Sequence, residues 1–240
     1  MLYLVATPIG NLGDISQRAV ETLRKATVIA AEDTRSARRL LAALNIPAEG
    51  KQVVAYGDHN EAAMAPRLAE RLHQGAEIAL ISEGGTPLVS DPGYRLVQAA
   101  IGCGVQVVPI PGPSAVLAAL AGSGLPVHGF IFRGFLPKKP GARRRMLESL
   151  QEREETLIFY ESPQRVAKVL PELVAVFGAE RQACLARELT KLHETFVRAP
   201  LGELARRVAA EPLKGECTLL VAGVSRERKE SGEAETEEGS

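Results

Sequence analysis

The loop at residues 81–93, ISEGGTPLVSDPG, restricts the fold more than any other stretch of this sequence. It follows an apolar run, precedes a helical pattern, and combines glycines, which allow close backbone approach, with prolines, which fix φ. Two similar loops, residues 6–14 (ATPIGNLGD) and 109–115 (PIPGPSA), also follow apolar runs. Loops at the carboxyl ends of neighbouring parallel strands meet in one crevice, where open α/β sheets bind ligands. We therefore expect the three loops to converge.

Short apolar runs alternate with helical patterns through residues 1–113. The runs predict strands at residues 2–6, 27–31, 53–55, 78–81 and 105–110. This alternation is typical of a largely parallel sheet. Shorter strands with fewer long helices follow in residues 114–226, which favours a mixed sheet with antiparallel pairs. The fold class is therefore α/β, with two α/β domains at residues 1–113 and 114–226.

Within the second domain, the segment at residues 136–145, LPKKPGARRR, separates two predicted strands. It carries five basic residues, and we interpret it as a basic linker. Further along, Pro163 suits the first turn of a helix that runs to Phe177, and a second helix is predicted at residues 201–210.

The charge of the chain is unevenly distributed. Formal net charge is zero, but the segment from Glu230 onward holds five glutamates and no basic residue. The rest of the chain therefore has an excess of five positive charges, which is compatible with an RNA partner. Residues 227–240 are predicted to form an acidic disordered tail.

Several function classes have no support in the sequence. Cys103, Cys184 and Cys217 are far apart, and the four histidines are scattered, so no metal site is expected. Neither a G-x-x-x-x-G-K loop nor a G-x-G-x-x-G fingerprint is present, which removes nucleotide hydrolysis and the usual dinucleotide fold. No apolar run is long enough for a membrane span, and the start of the chain lacks a basic leader, so a cytoplasmic location is expected.

Seven motifs in a fixed order carry a family resemblance. They are ATPIGNLGD at 6–14, AAEDTR at 30–35, GTPLVSDPGYRLV at 85–97, PGPSA at 111–115, GFLPKKPGARR at 134–144, FYESPQR at 159–165 and ARELTKLHE at 186–194. In this order they closely resemble the bacterial small-subunit ribosomal RNA 2′-O-ribose cytidine methyltransferases of the tetrapyrrole methylase-like superfamily. The resemblance extends from Leu2 to about Val224.

The resemblance implies two α/β domains with S-adenosylmethionine in the cleft between them, a homodimer, and methylation of a cytidine ribose in the decoding region of the small subunit. It also implies the cofactor contacts, which are Pro8, Gly84, Gly85, Thr86, Val89, Ser114, Ala115 and, closing the pocket from the second domain, Tyr160. Two departures from the family pattern stand out. Glu83-Gly84 replaces the usual Asp-Ala, and Gly57-Asp58 replaces a common His-Glu pair.

A base could assist removal of the proton from the ribose 2′-hydroxyl. The candidates at predicted strand ends are Asp33, Glu83, Glu161, Glu188 and, if its pKa is depressed, Lys191. Each of these residues is equally suited to a helix cap or an ion pair, so the sequence does not rank them.

RNA contact would begin with phosphate charge. The candidate cations are Lys138, Lys139, Arg143, Arg144 and Arg145, supported by Arg35, Arg38 and Arg39. Arg35, like Arg165 and Arg187, could equally pair with the acidic candidates. Aromatic residues make up only 4% of the chain and Trp is absent, so broad base-stacking platforms are not expected.

Three other functions compete with this one. A methyltransferase acting on a tetrapyrrole or other small molecule would share the cofactor loops but would not need the basic segment. A non-catalytic RNA-binding or ribosome-assembly module would not need three ligand-binding loops. An isomerase or hydrolase on a similar sheet would need a phosphate-binding loop, which the sequence lacks.

Overall fold

The strands of the first half of the chain form one parallel five-stranded sheet in the computed structural model, which describes residues 1–224. The strands are β1 (Leu2–Val5), β2 (Val28–Ala31), β3 (Gln52–Ala55), β4 (Ile78–Ile81) and β5 (Val107–Ile110). Their order is β3-β2-β4-β1-β5, and every neighbouring pair is parallel. The predicted parallel sheet is confirmed.

Helices cover both faces of this sheet. They are α1 (Gln17–Lys25), α2 (Thr34–Ala43), α3 (Glu61–His73) and α4 (Tyr94–Gly102), with a short 3-10 turn at Leu12–Asp14. Leu23 and Leu41 contribute to the core on one face, and Leu68 and Leu96 to the core on the other. All four residues of β2 and of β4 are buried, as expected for central strands covered on both faces.

The second half of the chain forms a mixed five-stranded sheet. Its strands are β6 (Phe130–Phe135), β7 (Thr156–Glu161), β8 (Gln182–Arg187), β9 (Thr195–Pro200) and β10 (Cys217–Val221), in the order β6-β7-β10-β8-β9. Of these neighbours, β6 and β7 pair in parallel, and the other pairs are antiparallel. The helices are α5 (Ala115–Ser123), α6 (Pro140–Glu148), α7 (Pro163–Phe177) and α8 (Leu201–Ala210). The predicted mixed sheet is therefore also confirmed.

The basic segment at 136–145 is not simply a linker, because α6 begins within it at Pro140. Proline suits the first turn of a helix, where its missing N–H would have no intrahelical partner. Arg143 and Leu147, four residues apart, lie on the buried side of α6. The interpretation of this segment as a linker failed because Arg143 occupies a buried position of α6, where a helical sequence pattern would have an apolar residue.

The chain divides between Ser114 and Ala115 into two compact units. Within the described residues, no helix combines the length and the apolar character that crossing a bilayer requires. The predicted acidic tail at 227–240 lies outside the described residues.

Candidate functional site

The three Gly/Pro-rich loops converge as predicted, because β4 and β5 lie on either side of β1. Thr7 and Gly85 pair as in an antiparallel bridge, with both N–H···O distances at 2.9 Å. The hydroxyl of Thr86 donates to the carbonyl of Pro113 at 3.1 Å. The loops that follow β1, β4 and β5 are thus joined at the carboxyl edge of the sheet, where α/β proteins of this type bind ligands.

The backbone of the loop between β4 and α4 adopts unusual conformations. Leu88 and Ser90 have positive φ angles of 72° and 70°, and Gly93 has a φ of 145°. Non-glycine residues in this region cost free energy, and such strain persists where surrounding contacts enforce it. Strain at Leu88 or Ser90 could not be predicted from the sequence, because neither residue type favours a left-handed conformation.

Glu61, at the start of α3, holds the end of this loop. Its Oε1 accepts hydrogen bonds from the hydroxyl of Tyr56 at 3.1 Å, from Gly93 N at 3.0 Å and from Arg95 N at 3.1 Å. Burial, together with the nearby Glu61 carboxylate, raises the pKa of Tyr56 well above its usual range, so its hydroxyl remains a donor. Glu61 therefore supplies the carboxylate that the N-terminus of α4 would otherwise lack.

A concavity opens beside the joined loops, at the ends of β1, β2 and β4, and encloses about 370 Å³, part of it open to solvent. Its polar side chains come from Thr7, Glu32, Asp33, Ser36, Ser82 and Glu83, and its wall includes Pro8 and Leu40. Three residues predicted from the sequence, Pro8, Asp33 and Glu83, thus line the same space.

Carboxylates concentrate around this concavity. Burial raises the pKa of Asp91 to about 6, a hydrogen bond with Ser82 opposes that shift, and the charges of Glu32, Glu83 and Asp58 add to it. Burial also raises the pKa of Glu32, assisted by the charges of Glu83 and Asp58. These four side chains repel one another electrostatically, so the site favours a cationic ligand. Within the described residues, no cluster of acidic, histidine or cysteine side chains suits a metal ion.

Sequence reasoning did not include Glu32, Glu61 or Asp91 among the candidate site residues. Glu32 and Asp91 belong to quoted motifs, and their position directly after β2 and within the β4–α4 loop was the available signal. Glu61 had no such signal, because its role depends on contacts with residues 32 and 34 positions away along the chain.

Asp33, a candidate base in the first unit, is the N-cap of α2. Its Oδ1 accepts hydrogen bonds from Arg35 N at 2.6 Å and from Ser36 N at 3.3 Å, and these bonds lower its pKa. A carboxylate stabilised in this way is a weak base. Glu83, by contrast, is exposed at the concavity.

The candidates in the second unit are engaged in ion pairs. Glu161 is buried and lies 3.1 Å from the guanidinium of Arg165, and burial raises the pKa of its carboxyl group. Glu188 accepts from Glu216 N, and this bond, with the nearby Lys191, lowers its pKa.

Lys191 does not meet the condition set for it. Its ammonium donates to Glu188 at 2.9 Å and to Glu216 at 2.8 Å. Burial acts to lower the pKa of Lys191, but the two hydrogen bonds outweigh it and the pKa is raised. The depressed pKa on which the candidacy of Lys191 as a base depended is therefore not found.

Most of the predicted RNA-binding cations are exposed. Those at the surface are Arg35, Arg38 and Arg39 on α2, and Lys138, Lys139, Arg144 and Arg145 in the second unit. Arg143 is the exception, because it is only 6% exposed and its guanidinium binds Glu172 through Nε at 2.9 Å. The interpretation of Arg143 as a phosphate contact is corrected accordingly.

The predicted cofactor residues fall on both units. Pro8, Gly84, Gly85, Thr86, Val89 and Ser114 lie in the first, and Ala115 and Tyr160 in the second. A Cβ atom at Gly84 would lie 3.2 Å from the carbonyl oxygen of Pro8 and 3.5 Å from Ile9 Cα. The glycine that departs from the family pattern thus allows close contact between two of the three loops.

Comparison with known proteins gives consistent matches over most of the chain. The family model described as Tetrapyrrole (Corrin/Porphyrin) Methylases matches residues 1–205. A protein of Xylella fastidiosa named Ribosomal RNA small subunit methyltransferase I is 49% identical over 226 residues, covering 93% of this chain and 82% of the relative. A protein of the same name from Mesorhizobium japonicum is 52% identical over 221 residues, covering 92% of this chain and 74% of the relative.

Solved structures share the fold at lower sequence identity. The crystal structure of the methyltransferase CobJ superposes with a TM-score of 0.70 at 22% identity, covering 93% of this chain and 94% of that one. Uroporphyrin-III-C-methyltransferase from Thermus thermophilus superposes with a TM-score of 0.65 at 21% identity, covering 92% and 93% of the two chains.

Proposed function

Because this chain belongs to the tetrapyrrole methylase family and, within it, to the small-subunit ribosomal RNA methyltransferase I proteins, we propose that it methylates the 2′-hydroxyl of a cytidine in the decoding region of 16S ribosomal RNA. It is an S-adenosylmethionine-dependent methyltransferase. The observation that carries the proposal is the joining of the three motif loops at one edge of the parallel sheet.

The residues at this edge fit S-adenosylmethionine. The cofactor supplies a methyl group on a positively charged sulfur. The carboxylates of Glu32, Glu83 and Asp91 provide negative potential for such a cation, and their mutual repulsion adds to the effect of burial in raising the pKa values of Glu32 and Asp91. The glycines at 84 and 85 leave the backbone accessible to a ligand.

The protein's main contribution to the reaction is positioning, because the methyl donor is already activated by its charge. We propose Pro8, Gly84, Gly85, Thr86, Val89 and Ser114 of the first unit as cofactor contacts, together with Ala115 and Tyr160 of the second. Glu83 is the proposed carboxylate beside the cofactor, since Asp33 serves as a helix cap.

We also propose a homodimer in the cytoplasm, and domains at residues 1–113 and 114–226. The surface cations on α2 and in residues 138–145 other than Arg143 are the proposed phosphate contacts. Sedimentation of the purified protein tests the dimer, and a monomer at micromolar concentration would contradict it.

The decisive experiment offers the purified protein labelled S-adenosylmethionine with undermethylated small ribosomal subunits, free 16S RNA and tetrapyrrole precursors in separate reactions. Label at one cytidine, at a linkage that resists alkali, is the expected result, because a 2′-O-methyl group blocks attack on the adjacent phosphate. Label only in a tetrapyrrole would contradict the RNA substrate while keeping the family.

Replacing Glu61 with alanine is expected to weaken cofactor binding about tenfold or more, because three hydrogen bonds that hold the loop before α4 are lost. Glu61→Gln keeps one acceptor oxygen and should retain part of the affinity. Isothermal titration with S-adenosylmethionine measures the effect. The control is Glu70→Ala on the same helix, where the exposed carboxylate bonds only to Gln74 among the described contacts. Equal affinities for Glu61→Ala and Glu70→Ala would refute a positioning role.

Replacing Asp91 with asparagine is expected to have opposite effects on cofactor binding and on the stability of the fold. Its pKa is raised in the folded protein, so its favourable contribution to stability is present below about pH 4 and is lost as pH rises through about 6. After allowance for solvent screening, Asp91→Asn should stabilise the protein by about 1 kcal/mol at pH 7.5 and leave it unchanged at pH 4.

Cofactor affinity should move the other way. In the wild type it should rise with pH through about 6, as Asp91 becomes charged, whereas Asp91→Asn should bind more weakly at pH 7.5 and vary less with pH. Thermal melts and titrations at several pH values measure both quantities, with Glu21→Gln on the exposed face of α1 as control. A variant that binds the cofactor as tightly as the wild type at pH 7.5 would exclude Asp91 from the site.

A further inference from the structure

We propose that Phe135 stacks on an unpaired base of the substrate RNA, and that Arg143 and Arg165 position the following loop so that Lys138 and Lys139 meet adjacent phosphates. This inference rests on the proposed function, which makes RNA the substrate. It assigns a base contact to Phe135, a residue to which the family resemblance gave no role.

A β-bulge sets the direction of Phe135. Strand β6 pairs regularly with β7 up to Phe132, opposite Ile158, and the next pair is Phe135 opposite Tyr160. Two residues of β6, Arg133 and Gly134, therefore face one residue of β7, and Gly134 has a φ of 63°. Such an extra residue interrupts the alternation of side chains along a strand and redirects those that follow.

The bulge brings Phe132 and Phe135 to the same neighbour. The ring of Tyr160 lies 4.8 Å from the Phe132 ring and 5.6 Å from the Phe135 ring, centroid to centroid, in edge and tilted arrangements. In a regular strand, residues 132 and 135 would point to opposite faces. Phe135 nevertheless remains 58% exposed. The Phe135 ring packs against Tyr160, and much of its surface is still accessible to solvent. An accessible aromatic face of this kind is what a base needs for stacking.

Two arginines bind the backbone that follows Phe135. Arg143 donates through Nη1 to the carbonyls of Pro137 at 3.0 Å and Lys138 at 3.2 Å. Arg165 donates through Nη2 to the carbonyl of Leu136 at 2.8 Å. Three consecutive carbonyl groups are thus held by two guanidinium groups, which are suited to such multiple contacts.

The charges of these arginines are balanced within the second unit. Glu172 accepts from Arg143 at 2.9 Å and 2.5 Å, and buried Glu161 lies 3.1 Å from Arg165. The side chains of Lys138 and Lys139 remain exposed. Arg143 and Arg165 therefore act as positioning residues, while the two lysines are available for a polyanion.

An RNA strand fits this surface better than a protein partner does. One exposed aromatic ring, with two exposed lysines three and four residues further on, supplies a stacking face for a base and cations for phosphates, the two features with which proteins bind single strands. A ribose hydroxyl must also be accessible to be methylated, which favours recognition of an unstacked nucleotide. A protein interface would need a broader apolar surface than Phe135 provides.

The test compares Phe135→Leu, Phe135→Tyr and Phe130→Leu in binding to undermethylated small ribosomal subunits over a range of salt concentrations. Phe130 lies at the other end of β6 and is 41% exposed, which makes it a matched control. Phe135→Leu should weaken binding about 5- to 150-fold, the range for loss of a stacked base. Phe135→Tyr, which keeps an aromatic face, should restore most of the affinity.

The salt dependence of subunit binding distinguishes the stacking contact of Phe135 from the phosphate contacts of the lysines. Phe135→Leu should leave the slope of log affinity against log salt unchanged, while Lys138→Gln and Lys139→Gln should each reduce it by about 0.7. Arg143→Lys, which keeps the charge but loses the forked geometry, should weaken subunit binding without changing affinity for S-adenosylmethionine.

Two outcomes would overturn the inference. One is equal subunit binding by Phe135→Leu and Phe130→Leu, and the other is failure of Phe135→Tyr to exceed Phe135→Leu. Methylation of subunits by the wild type is measured in parallel. If the wild type transfers methyl groups to RNA while the Phe135 variants behave alike, the inference fails and the proposed function stands. If the wild type transfers no methyl groups to RNA, the proposed function is refuted, and the inference that rests on it is refuted with it.

Discussion

Replacing Gly93 with alanine is expected to disrupt the loop before α4 and to weaken cofactor binding strongly. Gly93 has a φ of 145°, which L-residues rarely adopt, and a Cβ atom there would lie 2.8 Å from Leu80 Cδ2 and 3.0 Å from Leu88 Cγ. Leu80 is buried in the core between the sheet and α3 and α4, so it has little freedom to move away.

Backbone strain and overpacking each cost about 1 to 3 kcal/mol, so the expected loss of unfolding free energy is about 3 kcal/mol or more. Cofactor affinity should fall about 100-fold or more, because Gly93 N also bonds to Glu61 at the end of the proposed cofactor loop. Urea unfolding and isothermal titration measure the two effects.

The control is Gly102→Ala, at the opposite end of the same helix. A Cβ atom at Gly102 would meet nothing within 4 Å apart from its chain neighbours and the backbone of its own helix, and its φ lies outside the left-handed region, so alanine there should be neutral or slightly stabilising. If Gly93→Ala were as stable as Gly102→Ala and bound the cofactor normally, the loop before α4 could not have the conformation given above.

The second large effect is expected for Arg143→Ala. This substitution leaves Glu172 without its partner and removes the Arg143 hydrogen bonds to the carbonyls of Pro137 and Lys138. The Pro137 carbonyl keeps a bond from Arg165 at 3.3 Å, whereas the Lys138 carbonyl loses its side-chain donor. Breaking a fully buried ion pair costs about 3 to 5 kcal/mol, but Glu172 is 33% exposed and water can reach it, so about 2 to 3 kcal/mol is expected here.

Arg144→Ala is the matched control on the next residue of α6. Arg144 pairs with Glu148 at 2.8 Å on the surface, and such exposed pairs contribute little to stability because water screens them. Urea denaturation of both variants gives the comparison directly. Similar stabilities would mean that the Arg143 pair contributes no more than a surface contact, and the positioning role of Arg143 would have to be abandoned.

The bounds of helices and strands were predicted accurately where the local sequence determines the structure. Helices α7 and α8 begin and end at the predicted residues. For α7 the local reason is clear, because Pro163 suits the first turn and Gly178 follows the last residue. Strand β4 is an apolar run buried on both faces and was also located correctly. In these segments the turn residues and the hydrophobic pattern favour the same answer.

Prediction failed where the outcome depends on distant partners. Arg143 looked like a surface cation because its carboxylate partner, Glu172, lies 29 residues further on. Lys191 was considered as a base, but its pKa depends on Glu216, 25 residues away. The charge on a side chain is visible in the sequence, whereas its burial and partners are properties of the fold.

The pairing of the first loop with the loop after β4 has a consequence for the order of folding. Thr7 and Ser82 are separated by 75 positions along the chain, and their contact requires β1 to pair with β4, while β5 completes the sheet on the other side of β1. Closing such long loops is slow compared with forming helices. During synthesis, the first loop must therefore wait for the strand at Val107–Ile110 before it reaches its final surroundings. Binding of the proposed cofactor at this edge would therefore report that the first unit has finished folding.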